Sequence, residues 1–310
     1  MEEKPRVKIK RGELRAGEQT NWWPYLLIGV GVIFLLSNFG IIAGLFRLWP
    51  LILIAGGVML LFGRTGSVTV KRAHFDAPVG DAASARVRLN LSVGRNRVGS
   101  VKTPDKLIEA DITHVGDVEF AVTGEQEKLV SLSQSPGFQL EWLNPANWFS
   151  NQQELRWDIG LNPDVPTDLD VNGGVGEARL DLSSLHLTGL EVGGGVGEID
   201  LTLPGRGEYD AYLKIGVGEF RITVPSGASA NLHVKGGVGE CTVNVPADAA
   251  VRVQARMGLG DISVPSRMQR VSDDTDGFSR RGVWETPDFA SAERQIVIDF
   301  DGGVGALRVR

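Results

Sequence analysis

Apolar and polar residues alternate with period two over most of the chain after residue 66. In the clearest stretch, residues 230–246, one alternating segment is followed by Gly236-Gly237-Val238-Gly239 and then by a second alternating segment. Such alternation indicates a strand with one buried face. The glycines can take a positive φ or allow backbones to approach closely. Each unit is therefore predicted to be a strand, a glycine-rich bend, a second strand and a loop.

This unit recurs with a step of 21 residues. The step is carried by the bend glycines Gly176, Gly197, Gly218, Gly239 and Gly260, by the acids after them, Glu177, Glu198, Glu219, Glu240 and Asp261, and by the apolar columns Leu180, Leu201, Ile222, Val243, Val264 and Val192, Leu213, Val234. A fixed period with aligned apolar columns indicates that each unit buries its apolar face on its neighbours. We predict an all-β, solenoid-like stack, with regular repeats over about 169–265 inside a β-domain of residues 66–310.

The same pattern occurs in weaker form around Gly94, Gly116 and Gly305. Two segments break the period. Residues 134–163, which contain Trp142, Trp148 and Trp157, are predicted to form a long excursion, and residues 266–294 to form a polar loop. Core or end-cap packing explains the three tryptophans better than a ligand platform does.

A second strong pattern precedes the β-domain. Residues 22–63 contain no acidic residue, and their only basic residue is Arg47. Two apolar segments begin alike, and the residues predicted at the membrane interface are Trp22, Trp23, Pro24, Trp49 and Pro50. Proline suits the first turn of a helix, and tryptophan favours the interface. The pattern predicts a two-helix transmembrane hairpin over 22–64, in preference to a buried soluble hairpin or a cleaved signal peptide.

The flanking charges predict the orientation of this hairpin. The tail of residues 1–21 contains six basic residues, Lys4, Arg6, Lys8, Lys10, Arg11 and Arg15, whereas the connection between the two apolar segments is uncharged before Arg47. Positive residues favour the cytoplasmic side. We expect a charged cytoplasmic tail, a multi-pass anchor in the cell membrane and a cytoplasmic β-domain. If one segment spans and the other lies in the interface, the domain is instead exported.

Charge and cysteine content narrow the function classes. Of 32 basic residues, six lie in the tail and two, Arg47 and Arg64, border the second span, which leaves 24; of 38 acidic residues, four lie in the tail, which leaves 34. The β-domain therefore carries about −10, which argues against nucleic acid and anionic lipid heads as its ligands. The single cysteine, Cys241, excludes an internal disulfide framework, and its place in an apolar column suggests packing.

No catalytic motif is evident. The glycine runs lead into strands rather than helices, so they do not fit a nucleotide-binding loop, and the histidines His74, His114, His186 and His233 are scattered. We expect no enzyme activity, cofactor or metal. The acidic series from Glu177 to Asp261 is the candidate interaction surface: stacked like charges could bind a cation or a basic partner. Alternatively, each carboxylate accepts backbone N–H bonds or keeps the bend hydrated.

The chain resembles a known family. The Trp-Pro-Leu-Ile-Leu-Ile segment at 49–54, the Gly-Val-Gly-Glu repeats, the segment Trp157 to Pro163 and the closing segment Trp284 to Val309 are similar to those of LiaF-like cell-envelope stress proteins with a toast-rack β-domain. The resemblance implies a prokaryotic membrane protein that senses or relays envelope stress. It implies a histidine kinase or another envelope-stress membrane protein as partner. A homo-oligomeric, self-associating scaffold is the alternative.

Overall fold

The computed structural model of the protein describes residues 70–135, 155–214, 216–273 and 280–310. The chain divides into two compact units, residues 1–65 and 66–310, and every described residue belongs to the second. The predicted tail and membrane hairpin, with Trp22, Trp23, Pro24, Trp49 and Pro50, lie outside the described residues. Within the described part, no helix has the length and hydropathy needed to cross a membrane.

The described residues form a single hydrogen-bonded β-system of eighteen strands. The strands are β1 (Lys71–Pro78), β2 (Ser84–Asn90), β3 (Gly94–Ser100), β4 (Lys106–His114), β5 (Asp117–Thr123), β6 (Glu127–Ser135), β7 (Arg156–Leu161), β8 (Thr167–Asn172), β9 (Val175–Asp181), β10 (Leu187–Gly193), β11 (Val196–Thr202), β12 (Glu208–Lys214), β13 (Val217–Thr223), β14 (Ser229–Asn244), β15 (Ala250–Ser263), β16 (Gln269–Asp273), β17 (Arg280–Glu285) and β18 (Gln295–Val309). A short 3₁₀ turn covers Phe289–Ser291.

Strand pairing arranges these elements in two layers. The first layer has the order β5, β6, β2, β8, β10, β12, β14, β18, β15, β17 and β16. The second has the order β1, β4, β7, β3, β9, β11, β13, β14, β18 and β15. The long strands β14, β15 and β18 pass through a bend and contribute one half to each layer. The buried side chains of both layers belong to one apolar cluster.

The 21-residue step appears directly in the strand register. Parallel neighbours align Gly197 with Gly176 and Gly218, and Leu201 with Leu180 and Ile222. Inward residues therefore stack on their own equivalents, and both predicted apolar columns are buried apart from Val264, which is partly buried. The repeats form an all-β stack in which every unit completes the core of the next.

The stacking order departs from the prediction at its end. The fifth unit, on β15, does not lie against the fourth, on β14, because β18 is inserted between them and pairs in parallel with both. Gly260 is thus aligned with Gly305 and not with Gly239. The hairpin formed by β16 and β17 returns the chain, and β17 pairs with the opposite edge of β15. The C-terminal strand then fills the remaining place.

Both predicted interruptions were too long. Residues 266–294 contain the antiparallel strands β16 and β17, whose polar composition is that of an edge hairpin rather than a loop. Residues 156–161 form β7, and its Trp157 is fully buried, as the packing interpretation expected. Trp142 and Trp148 lie outside the described residues. The weak unit near Gly116 does lead into a strand, β5, but this strand pairs antiparallel with β6.

Candidate interaction surface

The glycine bends join the two layers along one corner of the stack. Gly176, Gly197, Gly218, Gly239 and Gly260 have φ values between 132° and 141°, a region that L side chains rarely adopt. Close approach is a second requirement, because a Cβ added at Gly218 would lie 1.9 Å from the carbonyl oxygen of Gly197. Each bend therefore needs glycine for its own backbone and for that of the neighbouring unit.

The residue before each bend glycine is apolar and points outward. These residues form a row that we call the valine ridge: Val93, Val175, Val196, Val217, Val238, Val304 and Leu259, between 38% and 61% exposed. Strand register places them side by side, with Val196 between Val175 and Val217, and with Val304 between Val238 and Leu259. With about 4.8 Å between strands, the ridge is about 29 Å long.

Sequence reasoning missed the valine ridge, since the repeated valine was treated only as part of the glycine-rich bend. A usable signal was present in the parity of the strand positions. In β9, the buried residues are Ala178 and Leu180, so Val175 shares the outward parity of Glu177. An apolar residue on the outward parity in every unit cannot be explained by the core.

The predicted acidic series lies beside the ridge and is largely neutralised by arginines. Arg95 Nε lies 3.5 Å from Glu177 Oε2, and Arg308 forms an ion pair with Glu240. Arg221 donates hydrogen bonds to Glu219 at 2.5 Å and to Asp200 at 2.6 Å. The Glu219 hydrogen bond and the charge of Asp200 raise the pKa of Arg221.

This ion pairing resolves the repulsion expected of stacked carboxylates. Glu198 lies in register between Glu177 and Glu219. Two residues further along the same three strands, Asp200 lies between Arg179 and Arg221 and is within ion-pair distance of both. Asp261 also has an interaction partner. The role of the acidic series in binding stays a prediction. The charges at this corner are thus largely paired, whereas the apolar side chains of the valine ridge stay exposed.

Sequence comparison agrees with this architecture. Residues 64–223 match the family profile described as "N-terminal domain of toast_rack, DUF2154", which covers more than half of the chain. The chain belongs to the toast-rack family. Residues 21–61 match a LiaI-LiaF-like transmembrane region, so the protein is LiaF-like, with a transmembrane region ahead of its toast-rack domain. No curated protein matches the chain.

Two solved structures are similar to the toast-rack chain. A protein from Clostridium sporogenes ATCC 15579, provisionally described as a cell adhesion protein, matches with a TM-score of 0.49 and 19% identity, over 78% of this chain and 99% of its own. A provisionally described adhesin from Bacteroides fragilis NCTC 9343 matches with a TM-score of 0.36 and 16% identity, over 78% of this chain and 99% of its own. Neither likeness bears on function.

The histidines of the toast-rack domain occupy separate structural roles. His74 lies 2.7 Å from Asp111, and His233 stacks on Tyr212 with ring centroids 4.9 Å apart. His114 is buried, and burial lowers its pKa. Across the four described ranges, no three His, Cys, Asp or Glu side chains are grouped so that they could hold a metal ion.

Cys241 lies in the core of the toast-rack domain, on β14. Its side chain is buried in the apolar cluster, and burial raises the pKa of the thiol to about 12. The reactive species of a cysteine is the thiolate. Cys241 is therefore a packing residue and is protonated at neutral pH.

Proposed function

We propose that the protein is a membrane-anchored, non-enzymatic adaptor in cell-envelope stress sensing, and that its toast-rack domain binds another membrane protein through the valine ridge. The observation that carries this proposal is the ridge itself. In the second layer, seven neighbouring strands each present an exposed Val or Leu at the same corner. Contiguous apolar surface of this kind is typical of interaction sites on soluble domains.

The charge around the ridge favours a protein partner over the lipid surface. The ridge is flanked by acidic residues two positions along each strand, such as Glu198 beside Val196. The domain as a whole carries about −10, and such a domain is repelled by anionic lipid heads. A partner with an apolar groove and basic or polar margins would match both the valine ridge and the row of acidic residues beside it. A histidine kinase or another envelope-stress membrane protein is the partner that the LiaF-like resemblance supports.

The membrane anchor contributes to binding by confinement. In the proposed topology, a two-span hairpin over residues 22–64 holds the cytoplasmic domain at the membrane surface. A partner in the same membrane then meets the domain at a high effective concentration, without any additional contact. A shallow ridge of aliphatic side chains can be sufficient in that setting.

The test replaces three central ridge residues by a residue of the same shape. In the full-length protein, Val196→Thr, Val217→Thr and Val238→Thr together keep the β-branched form of the side chain and remove its apolar character. The matched control carries the reverse exchange at outward positions of the same strands, Thr202→Val and Thr223→Val. Each variant is compared with the parent for proteins that co-purify from crosslinked native membranes and for envelope-stress transcription.

We expect the ridge variant to lose a membrane protein from the crosslinked complex and to shift basal or induced stress output, while the control behaves like the parent. Deletion of residues 66–310, with the hairpin kept, should produce the same loss. If the ridge variant and the deletion variant both kept the parent's set of co-purifying proteins and its stress response, the adaptor function would be contradicted. Self-association of the domain as a scaffold would then be the better account.

A further inference from the structure

The outward face of the first layer contains a groove. It is about 580 Å³ in volume and is lined by residues of β12, β14, β18, β15, β17 and β16, which lie side by side in that order. Sites for small ligands have volumes in this range. The valine ridge lies at the bends and contributes no residue to the lining. The groove is therefore a separate feature of the domain.

Two rows of polar side chains cross this groove, and strand register sets their order. The first row contains Tyr212, His233, Asp299 and Gln254. The second row lies two residues further along the strands and contains Lys235, Asp301, Arg256 and Arg281. The first row begins with two stacked aromatic rings, and both rows then combine hydrogen-bond donors with acceptors.

The polar side chains of the groove are not hydrogen-bonded to one another. His233 Nδ1 lies 3.8 Å from Asp299 Oδ2, and a terminal nitrogen of Arg256 lies 3.9 Å from Asp301 Oδ2. Both distances exceed that of a hydrogen bond. Arg281 Nε is buried and has no hydrogen-bond partner among the described residues. Such an unpaired buried donor is rare in folded proteins and points to a missing acceptor.

The same face of the sheet is paired outside the groove. Lys214 donates a hydrogen bond of 2.5 Å to Glu191, and Asn231 donates one of 2.9 Å to Asp210. These bonds join adjacent strands and use the outward polar groups of the sheet on itself. In the groove, the equivalent donors and acceptors are available to a ligand.

The charges of the groove select the class of ligand. The carboxylates Asp299 and Asp301 occupy the middle of the two rows, so a phosphate or carboxylate group placed there would be repelled. Hydroxyl groups, in contrast, can donate to carboxylates and accept from arginine or lysine. The face of an aromatic ring carries partial negative charge and attracts C–H groups, which one face of a pyranose ring presents. An uncharged saccharide has both properties.

We propose that this groove binds an uncharged saccharide. A pyranose ring packs against the stacked pair of Tyr212 and His233, of which Tyr212 is 50% exposed. Hydroxyl groups donate to Asp299 and Asp301, and a hydroxyl oxygen accepts from Arg281 Nε. The inference goes beyond the adaptor function. It depends neither on the valine ridge nor on the side of the membrane that carries the domain.

Binding is tested on the full-length protein, purified in a detergent without sugar head groups. The probes are three uncharged tetrasaccharides, chitotetraose, cellotetraose and maltotetraose, and UMP serves as an aromatic anion for comparison. Saturation-transfer NMR detects contact, and isothermal titration calorimetry measures affinity. One variant combines Asp299→Asn with Asp301→Asn, which keeps the side-chain shape and removes the charge. The matched control makes the same exchange outside the groove, Asp168→Asn with Asp210→Asn.

We expect the parent to bind at least one of the tetrasaccharides. The variant with both groove carboxylates replaced should bind it about tenfold more weakly, because hydrogen bonds to a charged group are lost. His233→Ala should weaken binding about fivefold through loss of the aromatic contact. The control should bind like the parent. Circular dichroism verifies that each variant is folded, and the Asn variant decides the outcome if His233→Ala is not.

Three results would overturn the proposal. The first is that none of the tetrasaccharides binds the parent at millimolar concentration. The second is an affinity that the exchange of Asp299 and Asp301 leaves unchanged, since binding would then lie elsewhere. The third is UMP binding that strengthens in this variant while no saccharide binds, which would assign the groove to an anionic ligand instead.

Discussion

At the scale of single residues, two neighbouring positions of each bend have different requirements. The glycine is needed for its backbone conformation, whereas the acid that follows it takes part in electrostatic interactions. Gly218 has a φ of 139° and supports the close approach of the backbone of Gly197. Glu219, the next residue, is more than a third exposed and hydrogen-bonded to Arg221. Exposed ion pairs contribute little to stability because solvent screens them. The glycine should therefore matter far more than the acid.

We expect Gly218→Val to lower the free energy of unfolding by about 3 kcal/mol or more, from a strained φ and a steric overlap with backbone. Glu219→Gln should lower it by less than about 1 kcal/mol. Chemical denaturation of residues 66–310 measures both. Equal large losses would show that the carboxylate is structurally required. A rise in melting temperature with millimolar calcium, absent from a variant with all five acids neutralised, would favour the cation-binding alternative.

The thiol of Cys241 gives a second prediction at this scale. Its pKa is raised from 9.0 to about 12 in the folded state, so the folded protein holds the proton to higher pH than the unfolded chain does. The stabilisation is fully present below pH 9 and is lost as the pH rises from about 9 towards 12. Unfolding at pH 7 and pH 10 should show a smaller decrease for Cys241→Ala than for the parent. An identical decrease in both proteins would rule out a contribution from this thiol.

At the scale of elements, the sequence predicted the content of each unit better than the order of the units. Alternation identified strands and their inward faces, and the 21-residue step identified parallel neighbours in register. The place of β18 between β14 and β15 was not predictable in this way, because the step describes only consecutive units. The hairpin β16–β17 was missed because edge strands need few apolar residues, so its sequence was interpreted as a polar loop. The valine ridge was detectable from parity but was not recognised.

Removal of the inserted strand β18 tests the stacking order. A domain ending at Arg294 lacks β18 and leaves β14 and β15 without their shared neighbour. It should lose its cooperative thermal transition and aggregate, because buried residues on both strands become exposed. The parent domain, residues 66–310, is the control in a melting experiment followed by circular dichroism. A cooperative transition in the truncated domain would mean that β14 and β15 can stack directly, in the order of the sequence.

At the scale of the whole molecule, function depends on the side of the membrane that carries the domain. The family match gives the protein a LiaI-LiaF-like transmembrane region over 21–61, followed by a toast-rack domain with an apolar ridge. A cytoplasmic ridge can meet the cytoplasmic part of a kinase, whereas an exported ridge meets the envelope itself. The number of spans therefore decides which class of partner is available. The basic tail before the first apolar segment favours a cytoplasmic N-terminus. Two spans would return the domain to that side, and one span would export it.

Cysteine accessibility tests this topology directly. In a Cys241→Ser background, single cysteines are placed at Ser37, in the predicted connection between the spans, and at Ser272, an exposed position on β16. An impermeant thiol reagent applied to intact cells should label position 37, unless lipid shields it, and should not label position 272. After the cells are permeabilised, position 272 should label fully, which shows that its cysteine is accessible in the folded domain. Strong labelling of position 272 in intact cells would place the toast-rack domain outside the cytoplasm, and the valine ridge would then have to find its partner there.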